Sequence, residues 1–290
     1  MIVNPHSGQK RGQSILEGVK PIFHNHNINL KILETNKAGH AQDYAYKLDY
    51  KGYDGLCIIG GDGTMHEIIN GMFKRPDKKK LPIGLITGGT GNSYMHDLNC
   101  LDSLSAAKRI VSGKSRDIDI AEINSNGEIL YSFNVVGWGM PTDITMLAEK
   151  LRWLGGQRYN IAAIIEVLRH KQRLAKINID GSVFIDDFCF VLGCNTIHTG
   201  KGMKMAPLAT LNDGMIDLII ARKASRIKLL RLFPKLFSGK HIIDQIVDYR
   251  QVKEFTVMPI DDCPITIDGE ILGRTPIHVR VIEKALKVLV

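Results

Sequence analysis

The chain has no uninterrupted apolar run of the roughly eighteen residues that a membrane-crossing helix needs, because Glu166 breaks the best candidate and Asp217 the next. A spanning helix is therefore excluded, and any contact with a bilayer must be peripheral. Cysteine is scarce. The five present are odd in number and include no C-x-x-C pair, which excludes a disulfide framework and a zinc knuckle. With a strand-like Met1-Ile2-Val3 in place of a signal peptide, this predicts a reducing, cytoplasmic location. Also missing are H-E-x-x-H, a G-x-S-x-G elbow and the G-x-x-x-x-G-K-[ST] loop. Carboxylates are outnumbered, with 30 Asp and Glu against 38 Lys and Arg, and the net charge of +8 favours an anionic partner. No nucleic-acid motif accompanies that charge, so DNA and RNA are not expected.

What is present falls into two characters. Short apolar runs at Met1 to Val3, Leu30 to Leu33, Leu56 to Ile59 and Ile83 to Ile86 alternate with helical patterns near Gly12 to Phe23, Ala41 to Leu48, Met65 to Phe73 and Leu104 to Val111. Such alternation predicts a mostly parallel sheet covered by helices. From about Arg116 the pattern turns β-rich, at Ile118 to Ile123, Ile129 to Val136, Ala175 to Ile179, Phe188 to Cys194, Ile216 to Ala221, Glu254 to Met258 and Pro264 to Ile267. The expected fold class is α/β plus β: an α/β domain over 1–116, which a β-prone end at 279–290 could rejoin, and an antiparallel β-sandwich domain over 117–278.

The most informative stretch is Ile58-Ile59-Gly60-Gly61-Asp62-Gly63-Thr64-Met65-His66-Glu67, a buried strand ending in a glycine turn that opens a helix. Glycines admit an anion close to the backbone, and a helix start adds a favourable dipole. Asp62 would repel phosphate unless a cation intervenes or unless it takes a proton from an attacking hydroxyl, and both readings describe a kinase. Thr64 and Glu67 also have the spacing of a capping box. Three further turns fall where strands should end: Asn4-Pro5-His6-Ser7-Gly8, Thr35 to His40, and Thr87-Gly88-Gly89-Thr90-Gly91-Asn92, where Asn92 or Ser93 could cap the next helix. In an open parallel sheet these turns can converge on one crevice.

Four separated motifs carry a resemblance: Asn4-Pro5-x-Ser7-Gly8, Gly60 to Thr64, Gly88 to Asn92 and Asp268-Gly269-Glu270. Over essentially its whole length the chain resembles the diacylglycerol kinase catalytic superfamily, which includes diacylglycerol, sphingosine, ceramide and bacterial lipid kinases. Asn70-Gly71-Met72, Arg75-Pro76-Asp77 and Trp138-Gly139 followed by Glu149 to Gly155 are most similar to the sphingosine and ceramide branch. The resemblance implies an N-terminal nucleotide-binding domain and a C-terminal domain that holds lipid, with ATP and Mg2+ as cofactors. It implies nucleotide contacts from Asn4, Pro5, His6, Thr35, Gly60, Gly61, Gly63, Thr64, Glu67, Gly89, Thr90 and Gly91, and from Arg152 and Arg158 to the phosphates. Asp213 and Asp268 are the implied metal ligands. Asp62 and Glu270 are the implied catalytic pair, Asp62 being the expected base. Thr145 stands where sphingosine kinases carry an aspartate for the sphingoid amine, with Asp143 two residues earlier, so a neutral headgroup competes with sphingosine.

The stretch Arg222 to His241 interleaves basic and apolar residues, broken at Pro234. It can rest on an anionic membrane or pack on the β domain. The expected activity is ATP-dependent phosphorylation of the primary hydroxyl of a sphingoid base, ceramide or diacylglycerol. A kinase of a soluble acceptor such as NAD, and a catalytically silent lipid- or nucleotide-binding module, are the alternatives. Oligomeric state is open, a homodimer included.

Overall fold

A computed structural model describes every residue except Thr90 and Lys201. The chain divides into two compact units: unit 1 comprises Met1–Ile120, Gly200–Gly202 and Glu283–Val290, and unit 2 comprises Ala121–Thr199 and Met203–Ile282.

Unit 1 begins with β1 (Ile2–Val3), α1 (Ser7–Lys10), α2 (Gly12–Asn25), β2 (Leu33–Glu34), α3 (His40–Lys47), β3 (Leu56–Gly60), α4 (Asp62–Phe73), β4 (Ile83–Thr87), α5 (Ser93–Asp97) and α6 (Ser103–Val111). The four strands lie parallel in the order β2-β1-β3-β4, and Val288 of the last strand of the chain pairs parallel with Ile83. Every residue of β3 and β4 is buried, as expected for parallel strands with helices on both faces. One face packs Leu16, Val19 and Phe23 of α2 with Ala107 and Ile110 of α6 over Val3, Ile59 and Ile86. On α4, Gly71 is required by a crossing: a Cβ there would lie 2.3 Å from the Gln42 carbonyl oxygen of α3. Arg75, just past α4, is buried and donates from Nη1 to the carbonyls of Ala45, Tyr46 and Leu48 at 3.1, 2.9 and 2.7 Å, which caps the C-terminus of α3. Its other edge pairs with Asp77, and its face lies 4.0 Å from the Tyr50 ring.

The remaining strands pair antiparallel within unit 2, with the start of β5 and the end of β17 belonging to unit 1: β5 (Ser115–Ser125), β6 (Glu128–Ser132), β7 (Val135–Gly139), β8 (Arg173–Ile179), β9 (Ser182–Cys194), the short pair β10 (His198–Thr199) and β11 (Met203–Lys204), β12 (Ile216–Arg222), β13 (Val247–Val252), β14 (Glu254–Pro259), β15 (Pro264–Ile267), β16 (Glu270–Arg274) and β17 (Ile277–Leu289). The thirteen-residue β9 pairs with β8 along its first part and with β7 and β12 along its second, so it joins both layers. Between the layers lies a core of Trp138, Ile177, Phe188, Leu218, Phe255, Ile265 and Ile277. Helices α7 (Met140–Lys150), α8 (Arg158–Arg169), α9 (Arg226–Leu232) and α10 (Lys235–Ser238) cover one side, with Val167, Leu229 and Leu232 packed on Phe190 and Ile219.

Two expectations change. The segment read as one strand over Ile129 to Val136 is two, broken at Phe133 and Asn134, because a buried carboxylate from Asp268 takes the amides that a continuous ladder would use. Val247–Val252, which alternates weakly and carries charge, is a strand paired along its length with β12.

Candidate active site

The strand order of unit 1 reverses between β1 and β3. In open α/β sheets the crevice beyond the carboxyl ends of the strands at such a reversal is where ligands bind. The Asn4 to Gly8 turn follows β1 and the Gly60 to Thr64 turn follows β3, and the two are tied directly. The Asn4 amide donates to the Ile59 carbonyl at 2.9 Å, Asn4 Nδ2 reaches Thr64 Oγ1 at 3.4 Å, and Asn4 Oδ1 accepts the His6 amide at 3.0 Å. The turn after β4 joins them, since the Gly88 and Gly89 amides both donate to the Gly60 carbonyl, at 2.8 and 3.0 Å. Backbone meets backbone here. A Cβ on Gly8, whose φ is +54°, would lie 2.1 Å from the Gly88 carbonyl oxygen, and one on Gly61 would lie 2.9 Å from Gly89 Cα. Ser7 Oγ and Asn92 Oδ1 are buried in this region without a hydrogen-bond partner among the described residues. The first amides of α4 and the Ser7 hydroxyl can donate to phosphate oxygens, and Asn92 Oδ1 can accept from a sugar hydroxyl. Thr90 lies outside the described residues.

The fourth turn, Thr35 to His40, is anchored by the Thr35 amide to the Val3 carbonyl at 2.9 Å. The expected capping box on α4 does not form, because the helix starts three residues earlier than expected, at Asp62, and leaves Thr64 and Glu67 inside it. Glu67 instead accepts the Gly39 and Ala41 amides at 2.8 and 3.1 Å and caps α3. Neither Asn92 nor Ser93 caps α5 with its side chain, and Asn92 Nδ2 instead donates back to the Gly89 carbonyl at 2.9 Å. That cap comes from Asp62, whose carboxylate accepts the Ser93 amide at 2.8 Å and the Tyr94 amide at 3.4 Å. Asp62 thus holds the third turn in place. No signal local to Asp62 in sequence announces this, since its partners lie 31 and 32 residues away.

In unit 2 the arrangement is also selective. Arg152 and Arg158 converge on the Glu149 carboxylate, Arg152 through both Nε and Nη2 and Arg158 at 3.4 Å. Glu270 is exposed and close enough to Arg152 to raise its affinity for the proton, after the larger effect of Glu149. Arg152, Arg158 and Glu270 are therefore gathered in one charged cluster. Asp268, two residues from Glu270, faces the other way. It is buried, and its Oδ1 accepts the Ser132 hydroxyl at 2.6 Å and the Asn134 and Val135 amides at 3.0 Å each. Asp268, expected as a metal ligand, has its oxygens turned into the protein, where they bridge β6 to β7. Asp213 is exposed, with Oδ1 accepting the Met215 amide at 3.0 Å. Asp143 is held by Arg173 at 2.9 and 2.8 Å with Lys171 at 3.9 Å, and the Thr145 hydroxyl donates to the Pro141 carbonyl at 3.0 Å. Arg173, thirty residues from Asp143, carries no local sequence signal for that pairing.

Residues 1–123 match the family model of the diacylglycerol kinase catalytic domain, and residues 134–290 match that of the YegS C-terminal NAD kinase beta sandwich-like domain. The chain belongs to the diacylglycerol kinase family. Among its relatives, diacylglycerol kinase of Bacillus subtilis (strain 168) is 30% identical over 95% of this chain and 90% of that protein. Sphingosine kinase 1 of Arabidopsis thaliana is 29% identical over 99% of this chain and 70% of that protein. The crystal structure of a diacylglycerol kinase from Bacillus anthracis str. Sterne is similar in fold, with a TM-score of 0.80 at 23% identity over 99% of this chain and 95% of that one. These relatives are lipid kinases, and the family places the chain among kinase-type phosphotransferases.

Proposed function

We propose that the protein transfers the γ-phosphoryl group of ATP to the primary hydroxyl of a neutral lipid of the diacylglycerol or ceramide class. The observation that carries this reading is the convergence of three glycine turns at the strand-order reversal of unit 1, lined by the partnerless Ser7 Oγ and Asn92 Oδ1. Asn4, Pro5, His6, Thr35, Gly60, Gly61, Gly63, Thr64, Gly89 and Gly91 are the residues we assign to the nucleotide. Asp213, exposed and with one oxygen committed only weakly to Gln251 at 3.4 Å, fits a hard cation, and Mg2+ supplies neutralisation of phosphate charge when bound. Arg152 and Arg158 would leave Glu149 for phosphate oxygens.

Glu270 is the group we assign to accept the hydroxyl proton. Asp62 is engaged by the Ser93 amide and more weakly by the Tyr94 amide, whereas Glu270 is exposed beside Arg152. A neutral acceptor is favoured because the Asp143 charge is already matched by Arg173 and Thr145 brings none.

Radiolabelled ATP offered with diacylglycerol, ceramide, sphingosine and NAD tests the assignment. Label should pass to diacylglycerol or ceramide, and Glu270→Gln should lower turnover by about 10²- to 10⁴-fold with nucleotide still bound. Transfer to NAD, or nucleotide binding with transfer to none, would refute the reading in favour of a soluble acceptor or a silent module. Near-normal turnover in Glu270→Gln with loss in Asp62→Asn would return the base to Asp62.

A further inference from the structure

We propose that the helical stretch Arg222 to Ile243 of unit 2 is a docking surface for an anionic phospholipid bilayer. Between these residues the sequence carries seven Lys or Arg and no Asp or Glu. Three of the seven are neutralised in the fold: Arg222 by Asp186, Lys223 by Asp187 and Lys235 by Asp244. Arg226, Lys228, Arg231 and Lys240 are exposed and make no ion pair among the described residues.

The same helices have two apolar faces. Leu229 and Leu232 of α9 are turned inward onto Ala224, Val167 and Ile219, which satisfies the packing demand of unit 2. Ile227 and Leu230, three residues apart and so on one helix face, are turned outward with exposures of 61% and 39%. Past the break at Pro234, Phe237 and Ile243 are also turned outward, at 45% and 80%. Single exposed apolar residues are ordinary, but these four stand within seventeen residues among four cations that make no ion pair among the described residues, of which only Lys228 feels a nearby carboxylate, Asp244. The stretch is not loose. Ser225 Oγ accepts the Lys228 amide at 3.4 Å, His241 bonds the Met205 carbonyl at 2.9 Å and Lys235 reaches Asp244 at 2.7 Å. Outward apolar side chains on a fixed scaffold, interspersed with charge of one sign, fit the boundary between headgroups and acyl chains, where the apolar tips of such a ridge enter and the cations meet phosphates. A protein partner of ordinary composition offers no matching continuous negative surface, whereas an anionic leaflet does.

This surface is separate from the residues assigned to the reaction, so the two readings fail separately. Vesicle flotation should be run with phosphatidylcholine alone and with about a third phosphatidylglycerol, at low and high salt. The protein should float with the anionic vesicles and be released by salt. Arg226→Gln/Lys228→Gln/Arg231→Gln should lower partitioning by about 10²-fold, at roughly fivefold per charge, and Ile227→Ser/Leu230→Ser by about 10-fold or more. All substituted side chains are exposed, so the melting temperature and the turnover of a water-soluble short-chain acceptor should be retained.

Flotation that ignores vesicle charge, or variants that partition like the parent, would overturn the docking surface and leave the kinase reading standing. Loss of a dimer in sedimentation by Ile227→Ser/Leu230→Ser, with vesicle binding unchanged, would assign the ridge to a second copy and overturn the proposal. Absence of phosphoryl transfer with normal, charge-dependent flotation would sink the kinase reading and leave the docking surface supported.

Discussion

Asp217 on β12 is fully buried, its Oδ1 accepting the Tyr249 hydroxyl at 2.5 Å. Burial lifts its pKa from an ordinary 3.8 to about 6, with the Tyr249 hydroxyl opposing the shift and the Asp213 charge adding to it. An acid with a raised pKa holds its proton in the folded state after the unfolded chain has released it. Its contribution to stability is therefore complete below about pH 3.8, declines as the pH climbs, and is gone above about pH 6. The difference of about two pH units is worth about 3 kcal/mol. Asp217→Asn keeps an oxygen for Tyr249 and removes the ionisation, but buries an amide at a cost of about 1 kcal/mol. The variant should be about 1–2 kcal/mol more stable than the parent near pH 8, and no more stable than it at about pH 4.5. Both tryptophans, Trp138 and Trp153, belong to unit 2, and Trp138 is buried, so urea unfolding followed by tryptophan fluorescence reports on the unit that contains Asp217. A stability difference between parent and variant that is the same at both pH values would refute the reasoning, because any contribution of other carboxylates cancels in that comparison.

Asp268→Ala strands the Ser132 hydroxyl and two buried amides, and should lower the stability of unit 2 by about 3–5 kcal/mol in the same urea assay. Arg75→Met leaves three carbonyls at the end of α3 without donors, and hydrogen exchange should show α3 opening more readily by about 2–4 kcal/mol while unit 2 is unchanged. Gly8→Ala must push the Gly88 carbonyl aside, and calorimetry should find nucleotide affinity reduced at least about 100-fold, with retained affinity counting against the convergence of the turns.

The α/β half was legible because its signals are local. Uncharged runs such as Leu56 to Ile59, too short for a helix and closed by glycine turns, read as strands buried on both faces. The antiparallel half was legible in its strongly alternating segments, and less so where Asp268 breaks one strand into two or where β13 carries Asp248 and Arg250. The four turns could be picked out by composition, but what each acidic residue does could not. Glu67 has the spacing to cap its own helix and caps another, and Asp62 caps α5 from across a turn. Asp143 meets its partner only after thirty residues of intervening chain. Spacing along the sequence reports on neighbours within a helix or turn, whereas these carboxylates choose partners that the tertiary fold delivers.

The pressing together of three glycine turns in unit 1 has a consequence for how such a protein can diversify. Positions 8, 61 and 89 leave no volume for a side chain, so the floor of the nucleotide site proposed above would be built of main chain. On that reading, preference for one nucleobase or another would have to be written at side chains with room to vary, such as the exposed His6. An engineer wishing to change the phosphoryl donor should work there and treat the glycines as fixed.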